Sequence, residues 1–180
     1  MRLPLPAAMA VVSDAGGGLQ AVRKGANVLQ LRDPGARLRG LEAEAHRLVA
    51  EAGVPLLISS RADLVLAAGA AGLQLPDGDL PVAAARKLLG RGRLIGRSVH
   101  SREAAEQAEA EGADYLVFGP VFPTTSHPGR EAAGLQVLEE VAAAVRIPVL
   151  AIGGIDLARA QVCLAAGAGG FAAIGYFRGR

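Results

Sequence analysis

The sequence predicts a closed (β/α)8 barrel, and two observations support this fold. Four segments share one pattern, a Gly-Ala pair followed by an apolar run: KGANVLQLR, AGAAGLQLP, EGADYLVFG and AGAGGFAAIG, which begin at Lys24, Ala68, Glu111 and Ala166. Four other apolar runs alternate with them, AMAVVS, VPLLIS, RLIGRS and IPVLAIG. Such runs are typical of parallel strands buried on both faces, and the glycine suits the position after a helix end. The competing architecture, an open doubly wound sheet, gives no reason for a pattern that returns at every second strand.

Helical segments fill the gaps between these eight candidate strands. GLEAEAHRLVAEAG places Leu41 and Leu48 at helical spacing, and LQVLEEVAAAV carries an apolar stripe. SREAAEQAEAEG begins with Ser101 and IDLARAQVCLAAG begins with Asp156, and both residues are favourable N-caps. Only residues 176–180 follow the eighth candidate strand. The eighth helix is therefore expected to be missing or to form a single turn.

Length and composition narrow the class of protein. A chain of 180 residues with 51% hydrophobic and 20% charged residues is expected to form one globular domain over residues 1–180. The net charge of +2, without clustered aromatic residues, disfavours nucleic acid as a partner. No apolar run approaches the roughly 18 residues of a membrane span, and AVV near the N-terminus fits a first strand better than a signal peptide. The single cysteine, Cys163, predicts a reducing, cytoplasmic location and a buried helical position for this side chain.

Polar residues and glycines follow nearly every candidate strand. In a (β/α)8 barrel the active site lies at the carboxyl ends of the strands, so these residues are expected to share one rim. They are Ser13, Asp14, Gln30, Arg32, Asp33, Ser59, Ser60, Arg61, Gln74, Asp77, Asp79, Ser98, His100, Thr124, Thr125, Ser126, His127, Gly153, Gly154, Ile174 and Gly175.

The glycine-containing loops after strands seven and eight are predicted to bind phosphate. AIGGI and AAIG follow strands seven and eight, the pair whose loops often hold phosphate in this fold. Glycine lets backbone N–H groups approach an anion closely, although tight turns use the same residues. The loop TTSH adds three hydroxyl groups and an imidazole, with a polar surface loop as the alternative interpretation.

Several motifs in one order resemble the thiamine phosphate synthase superfamily over nearly the whole chain. They are VLQLRDPG, LLISSRADLVLAAGAAGLQLP, IGRSVHS, DYLVFGPVFPTTSHPG and PVLAIGGI. The resemblance implies a (β/α)8 barrel and membership of one of two branches, the synthase or the thiazole tautomerase (TenI).

Departures from the synthase motifs favour the tautomerase branch. Pro34 and His127 stand where the synthase has lysine, and Ser60 stands where it has a magnesium-binding aspartate; Asp79 is kept as a possible ligand. A diphosphate leaving group needs cationic stabilisation. We therefore expect an isomerase that converts a carboxythiazole phosphate tautomer to its aromatic form, and no magnesium-dependent thiamine phosphate formation. The alternatives are a synthase that tolerates these substitutions and a non-catalytic, phosphate-binding or regulatory barrel.

The resemblance to the tautomerase also implies a set of site residues. The thiazole phosphate would contact Gln30, Arg32, Ser98, Thr124, Thr125, Ser126, Gly153, Gly154, Ile174 and Gly175. Pro120 occupies the position of the tautomerase histidine, so His127 or His100 becomes the candidate catalytic proton carrier, with the alternative that neither histidine is catalytic. Arg32 suits a substrate carboxylate, or alternatively an ion pair with Asp33 or Asp63. No metal or redox cofactor is expected, and a homodimer is plausible.

Overall fold

The computed structural model describes residues 2–124, 129 and 131–177, and these residues form a closed parallel barrel. Its strands are β1 (Ala7–Val12), β2 (Val28–Leu31), β3 (Leu56–Ser59), β4 (Gly72–Leu75), β5 (Leu94–Val99), β6 (Tyr115–Phe118), β7 (Val149–Ile152) and β8 (Gly170–Ala173). Its helices are α1 (Ala15–Arg23), α2 (Leu38–Glu51), α3 (Ala62–Ala67), α4 (Val82–Leu89), α5 (Arg102–Ala110), α6 (Gly134–Ala144) and α7 (Leu157–Ala165).

The pairing of the first and last strands closes the barrel and excludes the open sheet. Strand β1 pairs in parallel with β2 on one side and with β8 on the other, with Met9 opposite both Val28 and Ala172. The predicted fold is therefore confirmed. Within residues 174–177 no helix follows β8, as the sequence predicts.

The repeated Gly-Ala pattern marks helix ends. Gly25, Gly69, Gly112 and Gly167 each follow a helix, and all four have a positive φ, between 68° and 95°. Glycine adopts this left-handed conformation without the steric cost that a Cβ imposes. The four glycines therefore end α1, α3, α5 and α7 and turn the chain into the next strand.

Side-chain caps fix the starts of several helices. Ser101 and Asp156 are N-caps as predicted, and they accept hydrogen bonds from the N–H groups of Ala104 (3.2 Å) and Arg159 (2.8 Å). No particular segment was predicted for α1, whose sequence AGGGLQAVR contains three glycines. Asp14 caps it through Gly17 N–H, and the Glu44 carboxylate of α2 accepts a hydrogen bond from Ala15 N–H at 2.6 Å. These two carboxylates stabilise a helix of low intrinsic propensity.

Alternate strand residues build two apolar layers. Leu29, Leu73 and Ile95 pack outward against the helices, whereas Met9 and Leu57 belong to a separate cluster that fills the barrel interior. Cys163 is buried in α7 as predicted, and burial raises the pKa of its thiol to about 11. Among the described residues, no helix is long and apolar enough to cross a membrane.

Candidate active site

A cavity of about 680 Å³ lies at the carboxyl ends of the strands. It is lined by nine of the predicted site residues: Gln30, Arg32, Ser98, His100, Thr124, Gly153, Gly154, Ile174 and Gly175. Three others, Thr125, Ser126 and His127, lie outside the described residues, so their assignment stays a prediction. The cavity is large enough for a ligand of drug size.

Strand β2 places an amide and a cation in this cavity. Gln30 is buried within the strand, and Arg32 follows the strand end, where its backbone N–H donates to the carbonyl oxygen of Val12. The predicted alternative for Arg32 is not seen: Asp63 pairs with Arg61, and the Asp33 carboxylate accepts from Gly35 N–H. Among the lining residues that the structure describes, Arg32 is the single lysine or arginine. Its guanidinium therefore provides the positive charge of the described cavity wall.

The Gly153–Gly154 turn requires glycine at both positions. Their φ angles are 99° and 64°, both in the left-handed region. A Cβ on Gly153 would lie 2.6 Å from Pro120 Cβ, and one on Gly154 would lie 2.5 Å from the carbonyl oxygen of Pro123. The turn thus packs directly against the loop that follows β6. This close approach places the predicted phosphate-binding turn after β7 beside Pro120 and Pro123 of the loop that follows β6.

Arg159 of α7 holds the same turn from outside. Its Nη1 donates to the carbonyl oxygen of Gly154 at 2.8 Å, and its guanidinium lies 5.0 Å from the ring centroid of Phe122. The carbonyl oxygen of Gly153 accepts from Phe122 N–H. Both turn carbonyls are therefore engaged by protein donors, which fixes the orientation of the turn.

His100 is held in one tautomer. Its Nδ1 lies 2.5 Å from the carbonyl oxygen of Gly119, which can only accept, so Nδ1 carries a proton. In the neutral ring Nε2 is then the acceptor, and it lies 3.9 Å from Asp77 Oδ2 at the cavity wall. His100 therefore offers an acceptor nitrogen when neutral and a charge partner for Asp77 when protonated.

Two further polar side chains belong to the site. Ser59 and Gln74, noted from sequence only as residues after strands three and four, lie within β3 and β4 and are buried in the cavity wall. The Gln74 amide bonds to Tyr115 and Ser98. Sequence reasoning did not find Tyr115, which has no exposed surface and does not line the cavity. Gly96 within β5 was an available signal, because a glycine inside a strand often marks the close approach of other groups.

A closed barrel of eight parallel strands with a polar cavity at their carboxyl ends is the arrangement in which (β/α)8-barrel enzymes hold their active sites. The chain belongs to the TMP-TENI family, described as thiamine monophosphate synthase, whose sequence model matches residues 17–177. The family is enzymatic.

The names of three similar proteins all refer to thiamine phosphate. The thiamine-phosphate synthase of Chlorobium luteolum is 45% identical over 159 residues, which is 86% of this chain and 75% of that protein. The thiamine-phosphate synthase of Methanoculleus marisnigri is 44% identical over 161 residues, again 86% of this chain and 75% of that protein. The structure of thiamine phosphate pyrophosphorylase from Pyrococcus furiosus aligns with a TM-score of 0.84 and 33% identity over 94% of this chain and 86% of that one.

These relatives contradict the tautomerase and isomerase assignment. Pro34, Ser60 and His127 do not decide against the synthase, although they replace two lysines and an aspartate of its motifs. A guanidinium and backbone N–H groups also stabilise phosphate charge, and Arg32 lines the cavity. Neither Pro34 nor Ser60 lines the cavity. The assignment of His127 and His100 as catalytic residues is not tested by these relatives and stays a prediction.

Proposed function

We propose that this protein is a thiamine-phosphate synthase, a transferase that joins a pyrimidine diphosphate to a thiazole phosphate. The observation that carries the proposal is the 44–45% identity, over 86% of the chain, to proteins of that name. The cavity supports it, because one wall offers a guanidinium and the opposite loops offer a glycine turn. A volume of about 680 Å³ leaves room for two small ligands.

The transfer breaks one bond and forms another. The C–O bond between the pyrimidine methylene and the diphosphate breaks, and its electron pair leaves with pyrophosphate. The lone pair of the thiazole nitrogen forms the new C–N bond to the same carbon. Arg32 would stabilise the negative charge that grows on the leaving oxygen, and a fixed cation in a partly dry cavity is effective there.

The phosphate of the thiazole would lie at the other side of the cavity. Gly153, Gly154 and Gly175 line the cavity and would let backbone approach the phosphate, and Thr124 also lines the cavity. Thr125 and Ser126 are proposed to contribute from the adjoining loop. When neutral, His100 would accept a hydrogen bond from a donor group of the ligand through Nε2, because Nδ1–H is engaged by the carbonyl oxygen of Gly119.

The resemblance to the synthase implies magnesium, and one carboxylate of the cavity could help to bind this ion. Asp77 lines the cavity and its side chain is 63% exposed, whereas Asp79 is not part of the lining. Among the described residues no group of three or more His, Cys, Asp and Glu side chains could hold a metal ion. Magnesium is often bound by one or two carboxylates together with substrate phosphates, and Asp77 could supply such a carboxylate. When bound, the ion would neutralise charge on the diphosphate.

The expectations about partners stay predictions. The thiazole phosphate is proposed as the small-molecule partner, and a homodimer is proposed for a barrel without an eighth helix in residues 174–177. Nucleic acid stays disfavoured on charge alone.

The proposed function is tested by omitting one component at a time. We expect thiamine phosphate only when the protein receives the pyrimidine diphosphate, the thiazole phosphate and magnesium together. Product is measured by chromatography after oxidation to the fluorescent thiochrome form. Binding of thiazole phosphate without any product in the complete mixture would instead favour the non-catalytic alternative.

Gly154→Ala is expected to weaken the binding of thiazole phosphate at least tenfold, about 1.4 kcal/mol. The added methyl group would meet the carbonyl oxygen of Pro123 at 2.5 Å, and φ of 64° is unfavourable for alanine. The turn must therefore move away from the anion. Calorimetric titration measures the effect. Gly92→Ala is the matched control, because nothing lies within 4 Å of its added Cβ, and unchanged affinity in a folded Gly154→Ala protein would place the phosphate elsewhere.

A further inference from the structure

A row of three residues crosses the barrel interior below the cavity. Gln74 of β4 is opposite Gly96 of β5, and Gly96 is opposite Tyr115 of β6. Because Gly96 has no side chain, the side chains of its two neighbours meet above it. The Tyr115 hydroxyl lies 2.6 Å from Gln74 Oε1, and both side chains are buried.

The Gln74 amide has its orientation set by an acceptor on the opposite side. Its Nε2 donates to Ser98 Oγ at 3.1 Å and lies 3.4 Å from the carbonyl oxygen of Leu75. A backbone carbonyl can only accept, so the NH2 group belongs on this side and Oε1 faces Tyr115. Tyr115 must then donate its O–H to Gln74. Burial raises the pKa of Tyr115 well above its usual range, so the phenol keeps that proton.

The directions of the Tyr115–Gln74 and Gln74–Ser98 hydrogen bonds decide what the hydroxyl group of Ser98 can do. Ser98 Oγ accepts from Gln74, and its own hydroxyl proton has no acceptor among the described residues. Ser98 lines the cavity, whereas Tyr115 does not. The chain of donors therefore runs from the barrel interior outward, from Tyr115 through Gln74 to Ser98, and it ends at the ligand.

We propose that Tyr115 is a positioning residue for the ligand site: it holds the Gln74 amide so that Ser98 presents its O–H, as a donor, to an acceptor atom of the ligand. This inference deepens the proposed function and rests on it for the identity of the ligand. It predicts selection of a ligand with a ring nitrogen or phosphate oxygen at Ser98, and rejection of one with an N–H or O–H there, because two donors would face each other.

The test is a double-mutant cycle of Tyr115→Phe and Ser98→Ala. Each single variant is expected to lower kcat/KM for thiamine phosphate formation, Ser98→Ala by about tenfold and Tyr115→Phe by several-fold, the scale of one hydrogen bond. In the Ser98→Ala background, Tyr115→Phe should cause no further loss of kcat/KM. It should still lower stability in urea, because Gln74 Oε1 loses its buried partner. A purely structural role for Tyr115 predicts the same loss of kcat/KM in both backgrounds and would overturn the inference.

Two further measurements keep the test decisive. If Tyr115→Phe does not fold, Gln74→Met replaces it, and the inference again predicts no additional effect once Ser98 is alanine. The dissociation constant of thiamine phosphate, measured on the same proteins, provides a readout without turnover. The parent could bind thiamine phosphate, and the two substitutions could have non-additive effects on its dissociation constant, while no protein forms product. In that case the proposed function fails alone. If turnover occurs and the effects of the two substitutions add, the inference fails alone. If the parent neither binds nor forms thiamine phosphate, both fail.

Discussion

Arg32→Met is expected to lower kcat/KM for thiamine phosphate formation by about 100-fold while leaving the fold intact. The side chain lines the cavity and has no ion pair with Asp33 or Asp63, so its charge is available to a ligand. A fixed donor aimed at developing negative charge is commonly worth 10² to 10³ in rate. Methionine keeps much of the length and apolar area of arginine. The loss should therefore report charge and hydrogen bonding and not packing.

The control for Arg32 is another exposed arginine. Arg39 lies on α2 and does not line the cavity. Arg39→Met should therefore leave kcat/KM within about twofold of the parent value. Steady-state kinetics with the pyrimidine diphosphate varied gives both constants, and Arg32→Lys should recover part of the loss because it restores the charge without the bidentate geometry. Equal activity of Arg32→Met and the parent would show that the diphosphate is stabilised by other groups.

Gly96→Ala is expected to lower the free energy of unfolding by about 3 kcal/mol, the upper end of overpacking costs. Its Cβ would lie 2.0 Å from Tyr115 Cζ and 2.4 Å from Gln74 Oε1. Both contacts are far below van der Waals separation, and both side chains are enclosed by the barrel. Relief requires that Tyr115 move, and that movement also breaks its hydrogen bond to Gln74. Urea denaturation followed by circular dichroism measures the change.

A second background separates crowding at Gly96 from other causes. When Tyr115→Ala has emptied the space above residue 96, Gly96→Ala should cost much less, because the clash with Tyr115 has been removed and the Gln74 amide can move into the emptied space. Gly92→Ala should stay within about 0.5 kcal/mol of the parent, since its added methyl group meets nothing. A cost at Gly96 that is the same in both backgrounds would contradict the overpacking explanation.

The sequence was sufficient for the barrel because strand and turn signals are local. Buried parallel strands need continuous apolar runs, and the left-handed residue after a helix favours glycine, so Gly25, Gly69, Gly112 and Gly167 could be recognised without tertiary information. The rim residues followed from the strand assignments. Nine of the predicted site residues line one cavity for that reason.

Helix α1 and the role of Tyr115 depend on tertiary contacts, which the sequence pattern does not reveal. Helix α1 depends on Glu44, which is 29 residues away from Ala15, and no local pattern reveals that hydrogen bond. The contact of Tyr115 with Gln74 joins residues 41 positions apart across a glycine on a third strand. The choice between synthase and tautomerase failed for a different reason. Counting lysines at motif positions ignored that charge at a site can come from arginine and from backbone dipoles.

The stoichiometry of a single turnover tests the central claim most directly. With the protein in excess over the pyrimidine diphosphate, and with thiazole phosphate and magnesium saturating, thiamine phosphate and pyrophosphate are quantified in the same quenched samples. The transferase mechanism predicts that both appear at one rate and in a one-to-one ratio. Pyrophosphate release without thiamine phosphate, or neither product despite bound thiazole phosphate, would contradict the proposal that this cavity carries out the transfer.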